Sequence, residues 1–170
     1  MTDPMDSLNG LQDALDAGRV QLQEFIPCAL HPEVRLYRDE PQPRVMRLTY
    51  MLSTPDPSRP SKTEVRAVAL FVFADPFEGL PVLQAGIAVR ESSRSQGIGA
   101  KLFQQALDEI RSGFKRSKLQ QFWVEAIVRQ DNDQSNRIAA RVISPNPKRI
   151  VDQVSGEPAF QYFLKIDLSA

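Results

Sequence analysis

The chain has 170 residues, 42% of them hydrophobic and 25% charged, and its 21 Lys+Arg balance 21 Asp+Glu to a formal net charge of zero. That size suits one globular domain able to bury a core without disulfides or metals, and the charge balance excludes broad attraction to nucleic acid or anionic membrane. A single Cys (Cys28) and a single His (His31) exclude an internal disulfide, a Cys/His zinc cluster, and any His-dependent triad that does not use His31.

The start, Met1-Thr2-Asp3-Pro4-Met5-Asp6, is acidic and polar where a secretory signal is basic and then apolar. Residues 1–6 are expected to form a disordered tail, and residues 7–170 a single cytoplasmic domain. Leu8, Leu11 and Leu15 follow helical spacing up to a stop at Gly18, and Val20, Leu22, Phe25 and Ile26 suggest a second short helix. Nine of the thirteen prolines lie between Pro27 and Pro81, so the first half reads as strands broken by loops. Residues 33–37, 44–52 and 64–73 form three strands, and 82–89 a fourth after the turn at Asp75-Pro76-Phe77-Glu78-Gly79. The longest apolar run, residues 67–74, is strand-length and far too short to span a membrane.

The second half alternates helix and strand. Ile98, Leu102, Ala106 and Ile110 make one helical stripe over residues 98–113. Residues 121–129 form a strand and 133–143 a helix, which Pro145 and Pro147 end. Phe160, Tyr162, Leu164, Ile166 and Leu168 then alternate with Gln161, Lys165 and Asp167 in a half-buried strand that offers a route to a homodimer. The expected fold is α/β, with a mixed, mostly antiparallel sheet, a parallel central βαβ unit of right-handed crossover and helices on both faces.

The strongest chemical signal lies where the fourth strand gives way to a helix, in Arg94-Ser95-Gln96-Gly97-Ile98-Gly99-Ala100. Amides at a helix N-terminus are unpaired and sit at the positive end of the helix dipole, and glycines let a phosphate approach them closely. A P-loop needs Lys-Ser/Thr directly after its last Gly, but Ala100-Lys101 follows Gly99. A dinucleotide fingerprint needs Gly at position 102, which is Leu102. A tight turn alone would account for two glycines. Their place between strand and amphipathic helix, with Arg94 upstream, favours an anion cradle.

This stretch resembles the Arg/Gln-x-x-Gly-x-Gly/Ala pyrophosphate loop of the GNAT N-acetyltransferase superfamily. Downstream, Asn132-Asp133-Gln134-Ser135 is similar to the Asn-x-x-Ser/Ala stretch that opens the helix after the fifth strand in many members. The resemblance spans residues 82–143. It implies a GNAT-like fold and acetyl-CoA as cosubstrate, lying between the fourth and fifth strands with no metal. Backbone groups of Ile87, Ala88 and Val89 would pair with the pantetheine arm. The amides of Ser95, Gln96, Gly97, Ile98, Gly99 and Ala100, with Arg94, would hold the pyrophosphate, and Asn132 would touch the pantetheine. Asn132 is equally suited to cap the helix.

Acetyl transfer to an amine needs an acceptor for the amine proton and a donor for the departing thiolate. Glu125, the only acid in its strand, shares a face with Trp123 and Ile127 and is the candidate base. An ion pair with Arg129 on the same face is the alternative. Relatives often carry a Tyr in the helix after the fifth strand and a Gly-Phe pair at its end, and both are missing here. Tyr162 and Tyr50 are the substitutes for the acid, although for each the packed aromatic with a satisfied hydroxyl is the favoured reading. Cys28 reads as a small buried hydrophobe, His31 as a surface residue, and Arg35, Arg38, Arg44 and Arg47 as residues that could ring an acceptor cleft. The expected function is direct acetyl transfer from acetyl-CoA to a primary amine on a small molecule, peptide or protein. A non-catalytic acyl-CoA sensor or scaffold is the alternative.

Overall fold

In the computed structural model, which describes residue 1 and residues 3–169, the prolines of the first half sit at strand ends, bulges and hairpins. They do not divide it into short strands. The strands there are β1 (Ile26–Pro27), β2 (Val34–Gln42), β3 (Val45–Asp56), β4 (Arg59–Phe77) and β5 (Leu80–Val89). They run longer than the composition suggests because register shifts at Leu52/Ser53 and Pro55/Asp56 absorb the irregular residues. The chain continues through α2 (Ile98–Arg116), β6 (Gln121–Arg129), α3 (Asp133–Val142), β7 (Lys148–Val151) and β8 (Pro158–Asp167), with α1 (Pro4–Asp16) at the start.

The eight strands form one sheet in the order β1-β2-β3-β4-β5-β6-β8-β7. Only β5 and β6 are parallel, and α2 makes the crossover between them. The mixed, mostly antiparallel sheet with its central βαβ unit is therefore as expected. One face carries α2 and α3; Leu102, Phe103, Ala106, Leu107 and Ile110 of α2 and Ala139 of α3 share a core with Phe71, Leu83, Ala85 and Phe122. The other face carries α1, with Leu8 packed in a smaller core of Phe25, Met51, Val65, Val68, Leu70 and Ala88.

Three expectations change. The helix begins at Pro4, inside the stretch expected to be a disordered tail, because Asp3 accepts the Met5 amide at 2.8 Å and Pro4 is preset for the first turn. Residues 2 and 170 lie outside the described residues. The second short helix is a single 3-10 turn, Leu22–Glu24, leading into β1. Phe25 leaves the helical pattern to stack on Tyr37, with ring centroids 4.9 Å apart. Strand β7 appears where no strand was expected and pairs with β8 along Pro158–Gln161, leaving the rest of that β8 edge uncovered. Among the described residues no helix is long and apolar enough to cross a membrane.

The β3–β4 turn carries a testable pH dependence. The Ser58 hydroxyl and amide, with the Arg59 guanidinium, hold the Asp56 carboxyl down at about 2, from an ordinary 3.8. A carboxyl lowered on folding stabilises the fold when ionised. The contribution is complete above about pH 4 and is lost as the pH falls toward about 2. Asp56→Asn should therefore lower the urea midpoint near neutrality and flatten its decline between about pH 4 and about pH 2. Parallel pH profiles for variant and wild type would refute this.

Candidate functional site

β5 and β6 share register only at Val82–Trp123, Leu83–Val124 and Gln84–Glu125, and then part. A cleft of about 750 Å³ opens between them. Its walls are residues 84–89 of β5, 125–129 of β6 and Ser135, Ile138 and Ala139 of α3. Met1, Asp3, Pro4 and Met5 close one lip, and Asp152, Val154 and Ser155 from the β7–β8 loop line the other. Gly86 lets the start of the chain lie this close: a Cβ there would sit 2.6 Å from Pro4 Cγ.

Backbone direction along β5 follows from one contact. The Arg90 amide donates to the Arg66 carbonyl at 2.8 Å, so Arg90 faces β4. Strand alternation then turns Ala88 toward β4 and the peptide groups of Ile87 and Val89 toward the cleft. The Val89 carbonyl is met there by Arg94 Nε at 3.0 Å. Beyond the three register pairs, β5 presents an inner edge that β6 does not cover.

After β5 come the 3-10 turn Glu91–Ser93, then Ser95 at φ 62 and Gly97 at φ 73. Two left-handed residues flanking Gln96 curve the backbone into an amide-lined concavity that ends on the first turn of α2, an arrangement suited to an anion. The two glycines differ in purpose. Gly97 supplies the left-handed backbone in open space. Gly99 allows close packing, since a Cβ there would lie 2.8 Å from Ile138 Cδ1 and 3.0 Å from Val89 Cγ2. Arg66, which sequence reasoning missed, ties this segment down through Ser93 Oγ at 3.2 Å and Gln96 Oε1 at 3.1 Å.

Of the residues expected to hold a cofactor, Ile87, Ala88, Val89, Arg94 and Asn132 line the cleft. Ser95, Gln96, Gly97, Ile98, Gly99 and Ala100 form the adjoining turn and the start of α2. Asn132 has both anticipated positions: it lines the cleft and caps α3, accepting the Ser135 amide at 3.1 Å. Among the described residues, no group of three or more His, Cys, Asp or Glu is placed to hold a metal ion.

Glu125 also lines the cleft, held by neighbours other than the one expected. Arg129 pairs instead with Asp131 and Glu157. Gln84 and Gln161 each donate to one carboxylate oxygen of Glu125. Gln84 is the one polar residue in the apolar run 82–89, and that interruption was the available signal. Tyr162 is buried on the opposite face and donates its hydroxyl to Asn136 Oδ1 at 2.9 Å, outside the lining of the cleft. Burial pushes its hydroxyl pKa up. Tyr50 lies edge-on to Phe71 in the core under α2, and burial raises its hydroxyl as well.

The remaining candidates lie elsewhere or have other duties. Burial pushes the Cys28 thiol up to about 12, which leaves it no nucleophilic thiolate near neutrality. His31 rests against α2, with Gln105 Nε2 at 3.4 Å and Asp108 Oδ2 at 3.5 Å. Arg35 donates to the Phe25 carbonyl. Arg47, paired with Asp39, lines a second hollow of about 400 Å³ that shares Met1, Gln84 and Val154 with the cleft. Arg38 and Arg44 are not among the residues lining either space.

No family model and no curated protein matches the chain. Solved structures similar to it include the NatC complex bound to Gag peptide and CoA, at 17% identity over 69% of this chain and 70% of that one, TM-score 0.47. Another is the ribosomal-protein-S5-alanine acetyltransferase from Vibrio fischeri, at 10% identity over 74% of this chain and 62% of that one, TM-score 0.48. A third is Mycobacterium smegmatis RimJ in complex with CoA-disulfide, at 16% identity over 72% of this chain and 53% of that one, TM-score 0.49. The match therefore spans less than two thirds of the latter two chains.

Proposed function

We propose that the chain is a cytoplasmic acetyl-CoA-dependent N-acetyltransferase that passes the acetyl group directly to a primary amine. One juxtaposition carries this reading: β5 and β6 part to leave a free inner strand edge, a turn with two left-handed residues follows β5 into α2, and a braced carboxylate lies in the same cleft. The residues suit the cosubstrate. The peptide groups of Ile87 and Val89 would pair with its pantetheine amides, the turn over residues 95–100 and Arg94 would meet its pyrophosphate, and Asn132 would flank its arm.

The bound cosubstrate supplies an activated acetyl group as a thioester. Glu125 takes a proton from the ammonium form of the acceptor; the neutral nitrogen then bonds to the acetyl carbon and sheds its next proton to solvent as the carbon–sulfur bond breaks to release the thiolate. No tyrosine lines the cleft among the described residues, and in this reading the thiolate leaves unassisted or is protonated by water. Direct transfer follows because Cys28 is buried and outside the lining, which leaves no thiol to carry the acetyl group.

The engagement of Tyr162 with Asn136 favours a second reading, a sensor that binds acyl-CoA without turnover. Calorimetric titration with acetyl-CoA, followed by thiol release over a panel of alkylamines and peptides, separates the two. Saturable binding with turnover of at least one amine is the expected result. Binding without any turnover selects the sensor, and no binding at high micromolar acetyl-CoA overturns both.

A further inference from the structure

Three neighbouring strands place a glutamine, a glutamate and a second glutamine side by side on the sheet face that also carries α1. Gln84 of β5 is the register partner of Glu125 of β6. Gln161 of β8 is the partner of Ile127, one diagonal step from Glu125. Gln84 Nε2 donates to Glu125 Oε1 at 3.0 Å and Gln161 Nε2 donates to Oε2 at 2.6 Å. Each carboxylate oxygen thus carries one amide donor, and the donors come from opposite sides. All three side chains are half-buried.

The chemistry of the donors matters as much as their number. The terminal torsion of a glutamate is broad and poorly fixed by its own rotamer preferences. A donor on each oxygen sets the plane of the carboxylate and leaves the remaining lone pairs for the cleft. Both donors are neutral, so they brace the group without cancelling its charge, as an arginine or lysine would. Arg129, the cation on the same strand face, is occupied by Asp131 and Glu157. Arg94 donates to the Val89 carbonyl.

We propose that Gln84 and Gln161 are positioning residues, which clamp the Glu125 carboxylate so that a lone pair meets the incoming acceptor amine. The inference rests on the acetyl-transfer reading for its kinetic consequence but not for the clamp itself. A nucleophile and base held in line lose rate steeply when the base moves by about an ångström. Gln→Met keeps the length and unbranched shape of each side chain and removes the donor.

The test has two arms. In the kinetic arm, Gln84→Met and Gln161→Met are each expected to lower kcat by roughly tenfold to a hundredfold, with KM for acetyl-CoA unchanged. Placed in a Glu125→Gln background, the same substitutions should change kcat by no more than about twofold, because they act through Glu125. Wild-type kcat in both single variants, or an equal loss in the Glu125→Gln background, overturns the proposal. In the second arm, the side-chain amide signals of Gln84 and Gln161 are recorded in ligand-free protein. They should stand downfield of exposed glutamines and return to ordinary positions in Glu125→Ala. Signals that Glu125→Ala does not move overturn the clamp even in an active enzyme. A wild type that binds no acetyl-CoA overturns the function proposed above, and the spectra then decide the clamp alone.

Discussion

Glu125→Gln is expected to lower kcat for acetyl transfer by roughly 10²–10⁴-fold near neutral pH, the usual contribution of a positioned general base. Affinity for acetyl-CoA should stay within about twofold, because none of the groups assigned to its phosphates or arm is altered. Glutamine preserves the volume of the side chain and can still bond to Gln84 and Gln161, but its amide cannot take up the amine proton. The loss should shrink as the pH rises toward about 10, where a growing share of an alkylamine acceptor arrives already deprotonated. A pH–rate profile of thiol release checks both limbs of this expectation. Turnover equal to wild type across the whole range would remove Glu125 as the base.

Gly97→Val should weaken acetyl-CoA binding by roughly tenfold to a hundredfold. Nothing lies within 4 Å of a Cβ built at Gly97, so the cost does not come from crowding. It comes from the backbone, whose φ of 73° a β-branched residue adopts only under strain of about 1–3 kcal/mol. Relaxing that strain turns the amides of Gln96 and Ile98 out of the concavity, and each 1.4 kcal/mol is about a factor of ten in affinity. Gly97→Asn, which tolerates the left-handed region, should bind nearly as wild type. Calorimetry on the two variants separates backbone geometry from side-chain size. Undiminished binding by Gly97→Val would show that the turn does not hold the phosphates.

Much of this was legible because it is local. The strand Gln121–Arg129 and the starts of α2 at Ile98 and α3 at Asp133 fall where periodicity and caps put them. The turn at Gly97 could be placed because its left-handed backbone is local, whereas the need for Gly99 comes from Ile138, far along the chain. What was missed depends on partners far along the chain. The four residues of β7 are too few to show alternation and become a strand only by pairing with β8. β4 runs for 19 residues through prolines that look like breakers, because its bulges are set by β3 and β5. In the site, Gln84 is 41 positions from Glu125 and Gln161 is 36, and only sheet register brings the three together. Tyr162 was placed in its strand correctly, yet only the fold shows that its hydroxyl is engaged by Asn136.

The parting of β5 and β6 also bears on how the protein avoids unwanted company. An uncovered strand edge is a template on which other chains aggregate, and proteins ordinarily blunt such edges where they face solvent. Here the uncovered stretch lies in the middle of an eight-stranded sheet, recessed in a slot walled by α3, the start of the chain and the β7–β8 loop. Those walls stand in the way of a second sheet approaching that edge. The inner-edge peptide groups of Ile87 and Val89, the latter's carbonyl already engaged by Arg94, are thereby shielded from pairing with other chains.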